Sequence, residues 1–206
     1  MCPHPDGKSF STLPQLNPPW PPPPGPSPAF DPPSREQIAM AVQWISGYLL
    51  EQREHYFAAA GPLSPQNQAI LRPHFSRELL DQVRVLELKG ARVSAPDFFA
   101  EVRAAGFDPP EISHMDSLTF LDVVVFNERL ALRALFHALV HTVQIQVLGL
   151  RRYCELWIES FVKHNAHFIV PLEIHAFSLS SKFLSPSPQP FSVEDHVRSW
   201  VVDQRY

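Results

Sequence analysis

The sequence predicts a helix-rich α+β domain with a small sheet. Three observations carry that expectation. Apolar residues recur at helical spacing over long stretches, two shorter runs are dense in β-branched residues, and a proline-rich first segment stands apart from both. Of the 23 prolines, 13 fall in residues 1–34, including PPWPPPPGP at 18–26. Such a run lacks amide donors and fits neither a helix interior nor a central strand. It reads as a disordered or polyproline II tail, either solvated or docked on an aromatic groove of a partner. Residues 35–206 then form a single domain, since a 206-residue chain that is 45% hydrophobic supports one core rather than two.

The elements follow in order. Ser34 caps REQIAMAVQWISGYLLEQREHYFAAAG, where Ile38, Val42, Ile45 and Leu49 share a helical face and Gly61 ends the run. Ser64 and Pro65 open a shorter helix reaching about Phe75. Glu78 to Gln82 add a turn, and VRVLEL at 83–88 reads as a strand. PDFFAEVRAAG at 96–106 reads as a helix with a glycine stop. LTFLDVVVF at 118–126 is the strongest strand pattern, leading to Asn127. Asn127 is expected to cap the central helix ERLALRALFHALVHTVQIQVL, closed by Gly149. A second helix spans Arg152 to Lys163, Pro171 opens a third over LEIHAFSLSSKFL, and a last short one follows the PSPQP linker at 186–190.

The charge balance excludes several functions. Seventeen basic and 21 acidic residues give a net charge of -4, and no basic run exceeds Arg151-Arg152. This offers no nucleic-acid footprint and no membrane-surface patch. Apolar stretches are interrupted well short of a bilayer span, and MCPHPDGKSF lacks a signal pattern, so a cytoplasmic protein is expected. Cys2 and Cys154 are expected as free thiols.

The chemistry concentrates on the central helix. His137 and His141 are four residues apart, which places both imidazoles on one face, one turn apart, where they can share an ion. Their neighbours Leu135, Phe136, Leu139, Val140 and Val143 are apolar. Two core histidines with ordinary partners would satisfy the same spacing, and histidine is not a preferred core residue.

The stretch LTFLDVVVFNERLALRALFHALVHTVQIQVLGLRRY, with PLEIHAF further on, resembles the core of small zincin-type metallopeptidases. It is most similar to the bacterial family whose core domain accompanies contractile injection systems. There a strand leads into a helix reading HELxHxxQ, then a glycine, a tyrosine-bearing helix, and a helix opening P-x-E-x-E-A. The matching residues are His137, His141, Gln144, Gly149, Tyr153, Pro171, Glu173 and Ala176, and LSPQNQAILRPHFSRELLDQVRV resembles the family's lead-in. The resemblance covers roughly residues 60–183.

Two departures alter what it implies. Ala138 stands where a peptidase carries glutamate, and His175 stands at the second glutamate of the third-helix motif. The missing glutamate would accept a proton from metal-bound water and pass it to the leaving amine, a contribution on the order of 10²–10⁴-fold. Ordinary peptidase activity is therefore not expected. The resemblance puts the third ligand on PLEIHAF. Glu173 and His175 are two apart and face nearly opposite sides of a helix, so one of them can serve. Glu173 is the expected ligand, with His175 the alternative that makes a three-histidine site. A first-turn carboxylate stabilised by the helix dipole is the other reading of Glu173.

These features imply one divalent ion, zinc or iron, on a zincin-like scaffold. The expected function is a metal-dependent enzyme acting on a small molecule through oxygen activation or Lewis-acid chemistry. An inactive, metal-stabilised pseudopeptidase that binds a partner is the alternative. A hydrolase with another base, such as His175 or Asp116, is a third reading. Gln144, Tyr153 and Asp116 are weaker candidates for catalytic roles: Gln144 reads equally as a satisfied interface polar group, and Tyr153 reads first as a core or rim residue. His114 and Asp116, in SHMD at 113–116, either line the site or cap a turn. His164 and His167 are expected to face solvent, and Tyr56 to sit in the core or at a rim.

Overall fold

The structure, a computed structural model, describes residues 33–187 and 189–206. Apart from Pro33 and Ser34, the expected tail lies outside the described residues, as does Cys2. Ser34 begins helix α1 (Arg35–Phe57) through a reciprocal cap: its hydroxyl accepts from the Gln37 amide, and the Gln37 side chain accepts from the Ser34 amide. Helices α2 (Pro65–Leu71) and α3 (Arg77–Gln82) start on Ser64 and Ser76, whose hydroxyls accept from Asn67 and Leu79. The expected helix to Phe75 stops at Leu71.

Four strands form one sheet in the order β1-β2-β4-β3: β1 (Gly61–Pro62), β2 (Arg84–Glu87), β3 (Ser117–Phe120) and β4 (Val123–Phe126). Strand β2 runs parallel to β4, and the other pairs are antiparallel. The single strand expected over 118–126 is thus a hairpin. Phe120 pairs with Val123, leaving Leu121 and Asp122 as a two-residue turn with Leu121 at φ 59°. Tight hairpin turns usually advertise themselves with Gly or Asn at positive φ. Here the turn is held from outside: Arg53 of α1 donates to both Asp122 carboxylate oxygens, at 2.8 and 3.0 Å. Gly61, expected only to end a helix, also pairs with Val85.

Strand β4 is buried on both faces. Val124 and Phe126 join a core with Leu135, Phe136 and Leu139, while Val123 and Val125 join Phe99, Ile112 and Phe120. This accounts for the unbroken VVVF, since a strand covered on both sides needs no polar alternation. The central helix α5 (Leu132–Leu148) covers one face and α1 the other. Phe136 stacks on Phe183 at 4.3 Å and is fully buried; burying such a ring contributes about 1.5–3 kcal/mol.

Asn127 does not cap α5, which begins at Leu132 after an uncapped Ala131. Its side chain is buried and bonds elsewhere, accepting from the Val93 amide at 2.7 Å and donating to the Ile112 and Met115 carbonyls. Val93 and Met115 sit in irregular chain and Ile112 in a single 3-10 turn, so none has a ladder partner, and this need outweighs the cap. Gly149 at φ 78° closes α5, and α6 (Leu150–His164) starts at the next residue, two earlier than expected. Positive φ at that corner favours glycine. Helix α4 (Phe99–Ala104) is shorter than the 96–106 pattern. Helix α7 (Pro171–Phe183) opens at Pro171 as expected, and α8 (Val193–Val202) follows. Helix α5 packs on α7 and α8, and α6 on α1. Among the described residues no helix is long and apolar enough to cross a membrane.

Candidate metal centre

The central helix presents His137 and His141 on the face turned toward α7. Their Nε2 atoms lie 3.0 Å apart. Glu173, in the first turn of α7, reaches across so that its Oε2 is 3.3 Å from His137 Nε2 and 3.5 Å from His141 Nε2. Among the described residues these three form the one group whose ligand atoms could hold an ion, all within 4.8 Å of one another. The spacing fits the purpose: ligands at about 2.0–2.1 Å from a tetrahedral ion sit about 3.3 Å from each other.

Protonation couples the three. Burial opposes charge on Glu173, yet the two histidines outweigh it and hold the carboxyl well below the usual range. Burial also lowers the pKa of His137, which keeps its ring neutral. Burial disfavours a charged His141 too, but the Glu173 carboxylate overcomes it and moves this pKa upward. The cluster thus pairs a charged oxygen with one histidine that favours its proton, and an ion taking His141 as a ligand must displace that proton.

Gln144 fixes the tautomer of His141. Its Nε2 donates to the Leu172 carbonyl at 3.0 Å, which can only accept, so its Oε1 must turn to His141. His141 Nδ1 accordingly donates to Gln144 Oε1 at 2.8 Å and leaves Nε2 as the atom that faces Glu173. A hydrogen-bonded partner behind a ligand histidine is the arrangement that orients metal-site imidazoles. Gln144 thus stands behind the site, fully buried, and touches no space a substrate could occupy. The Tyr153 hydroxyl lies 3.3 Å from the same Nδ1.

His137, Ala138, His141, Tyr153 and Glu173 all line a cavity of about 650 Å³. Ala138 is 1% exposed, with its carbonyl accepting from the Thr119 hydroxyl at 3.1 Å. Among the described residues no carboxylate replaces the absent glutamate there. The other acids on the cavity wall are Glu111, paired with Arg103 at 2.5 Å, and the exposed Asp116, 3.6 Å from Arg133.

The structure does not bring His175 to the cluster. Its ring stacks on Trp200 at 3.7 Å, and its Nδ1 accepts from the Tyr206 hydroxyl at 2.6 Å. It is absent from the cavity wall, so neither the three-histidine set nor a His175 base forms in this arrangement. His114 and Asp116 reach the cavity only at its exposed rim. Tyr56 stacks on Phe120, and His164 is exposed. The side chain of His167 is outside what the structure describes.

Comparison with known proteins returns no matching family model, no curated relative and no similar solved structure. What the site can do must be argued from its own atoms.

Sequence reasoning missed two contributors. Tyr206 lies 3.4 Å from Gln144 Nε2, and nothing in a terminal tyrosine signals that contact. Phe177, whose ring packs 4.6 Å from His137, was legible: it is four residues after Glu173 and shares its face.

Proposed function

We propose that this chain is a metal-dependent enzyme acting on a small molecule, with one zinc or iron ion held by His137, His141 and Glu173 on a zincin-like scaffold. The observation that carries the reading is the cluster's position: three ligand atoms at metal-site spacing on the wall of a 650 Å³ cavity. A purely structural ion needs no such space beside it, whereas catalytic sites keep an open position. An ion held by two histidines and a carboxylate supplies Lewis-acid polarisation as zinc, or oxygen activation as iron.

The chain's own residues do the rest. Gln144 holds His141 in the ligating tautomer, and Glu173 removes one unit of the ion's charge. The apolar wall excludes water, which strengthens the field at the open position. Ala138 supplies no proton acceptor, so the reading excludes ordinary peptide hydrolysis. Ala138 is also what favours the second reading, a metal-stabilised binding module without turnover. Metal identity separates the two, because iron favours redox chemistry.

Elemental analysis of protein purified without added metal tests the proposal. The expected result is about one equivalent of iron or zinc, none in His137→Ala/His141→Ala, and no cleavage of general peptide substrates. Equal metal in variant and parent overturns it, as does proteolysis that disappears with His137→Ala.

A further inference from the structure

The walls of the cavity differ sharply from its metal-facing end. Away from the cluster it is bounded by Leu49, Phe98, Phe99, Leu118, Phe120 and Trp157. Arg133 is the only lysine or arginine on the described wall, and its side chain is 66% exposed beside Asp116. The wall also carries Ser117, Thr119, Ser180 and Ser181, of which the Thr119 and Ser180 hydroxyls already donate to backbone carbonyls. A sugar or nucleotide has more hydroxyls than these few groups can pair, at a cost for each left over. A ligand with one polar end and a long apolar body meets no such penalty.

Two more observations bear on that body. A second cavity of about 270 Å³ shares Ile45, Phe98, Phe99 and Trp157 with the first, so these side chains stand between the two spaces and carry the apolar lining past the first. Phe177 and Leu184 line the first cavity yet are 43% and 51% exposed, so apolar side chains stand at the entrance beside the polar rim of His114, Asp116 and Arg133. At the other end, two neutral histidines, one carboxylate and a divalent ion leave a single positive charge. A monoanionic head group neutralises it.

We propose that the cavity binds a linear long-chain fatty acid, its carboxylate at the His137–His141–Glu173 end and its chain along the aromatic wall toward Ile45 and Trp157. The head-group half of this inference rests on the metal-site reading; the chain half rests on the walls alone. Each buried methylene adds about fourfold in affinity. Binding should therefore climb steeply with chain length.

Calorimetric titration with hexadecanoate, octanoate and hexadecan-1-ol, on metal-loaded and chelated full-length protein, tests it. Hexadecanoate is expected to bind the loaded protein at least 100-fold more tightly than octanoate. Leu118→Trp and Ile45→Trp, which fill the chain's path from β3 and from α1, are each expected to erase at least tenfold of that preference while circular dichroism and melting show a folded domain. Both are made so that one misfolded variant leaves the test standing. Equal affinity for the two chain lengths, or a preference untouched in a folded filling variant, overturns the proposal. Chelation is expected to remove the preference for hexadecanoate over hexadecan-1-ol and to leave the chain-length preference intact. A carboxylate preference that survives chelation overturns the head-group half, while the metal reading is judged by metal content alone. The chain half then stands on the length series.

Discussion

On one side of α7, Glu173 meets His137 and His141; on the other, His175 lies flat against Trp200. The two residues are two positions apart and both largely buried, yet the helix sends them into opposite environments. Glu173 is surrounded by groups that reward its charge. His175 is 1% exposed, has a stacked indole and one tyrosine hydroxyl for company, and its Nε2 finds no partner among the described residues. Burial there, helped by His196 and Arg205, pushes its pKa down to about 4. One faces the candidate metal cluster, the other is a neutral aromatic plate. The lesson is that residue type alone does not assign a metal ligand; the side of the helix does.

The largest effect that would sharpen this contrast is on metal affinity. Glu173→Gln is expected to weaken binding at least 100-fold in a titration at fixed pH, and His175→Phe to change it less than threefold. A larger loss for His175→Phe would invert the assignment and restore the three-histidine site. Next comes Gln144→Leu, which removes the acceptor behind His141 and leaves the ligands in place. It is expected to cost about 10–100-fold in metal affinity. An unchanged affinity would mean that the Leu172 carbonyl and Gln144 merely fill the interface.

The smallest effect concerns acid stability of the aromatic side. A histidine whose folded pKa is depressed takes up its proton more readily when unfolded, so stability falls as pH drops from the unfolded value of 6.5 toward about 4. Between pH 7 and 4.5 the parent is expected to lose about 2 kcal/mol more than His175→Phe in urea unfolding. Parallel losses in the two proteins would show that His175 charges freely in the folded state.

Much of this was legible in the sequence, for reasons that differ by element. The i, i+4 pair on an apolar helix gave a face, and the structure puts the two Nε2 atoms in contact range. The order of α5, α6 and α7 was readable from Gly149, Pro171 and helical spacing. Glu173 over His175 followed from helix geometry combined with the family resemblance. The hairpin inside 118–126 was hidden, because the Leu121 turn is stabilised by Arg53, 69 residues from Asp122. Asn127 was misread for the same reason, since its partners lie in loops that only tertiary folding brings near. The cavity walls were invisible, as Leu49, Phe98 and Trp157 come from three separate segments that share no spacing.

Asn127 has one further consequence. The segment between β2 and β3 carries Phe98, Phe99 and Met115 of the cavity wall, and one amide side chain holds that segment at Val93, Ile112 and Met115. Breathing of the wall must therefore break Asn127's bonds before much else moves. The Val93 amide, closed off by Asn127 Oδ1, becomes a natural clock for this breathing: its proton exchanges with solvent only when the wall lets go. Anything that occupies the cavity and steadies the wall should slow that one proton more than the amides of α3, which contributes nothing to the described wall.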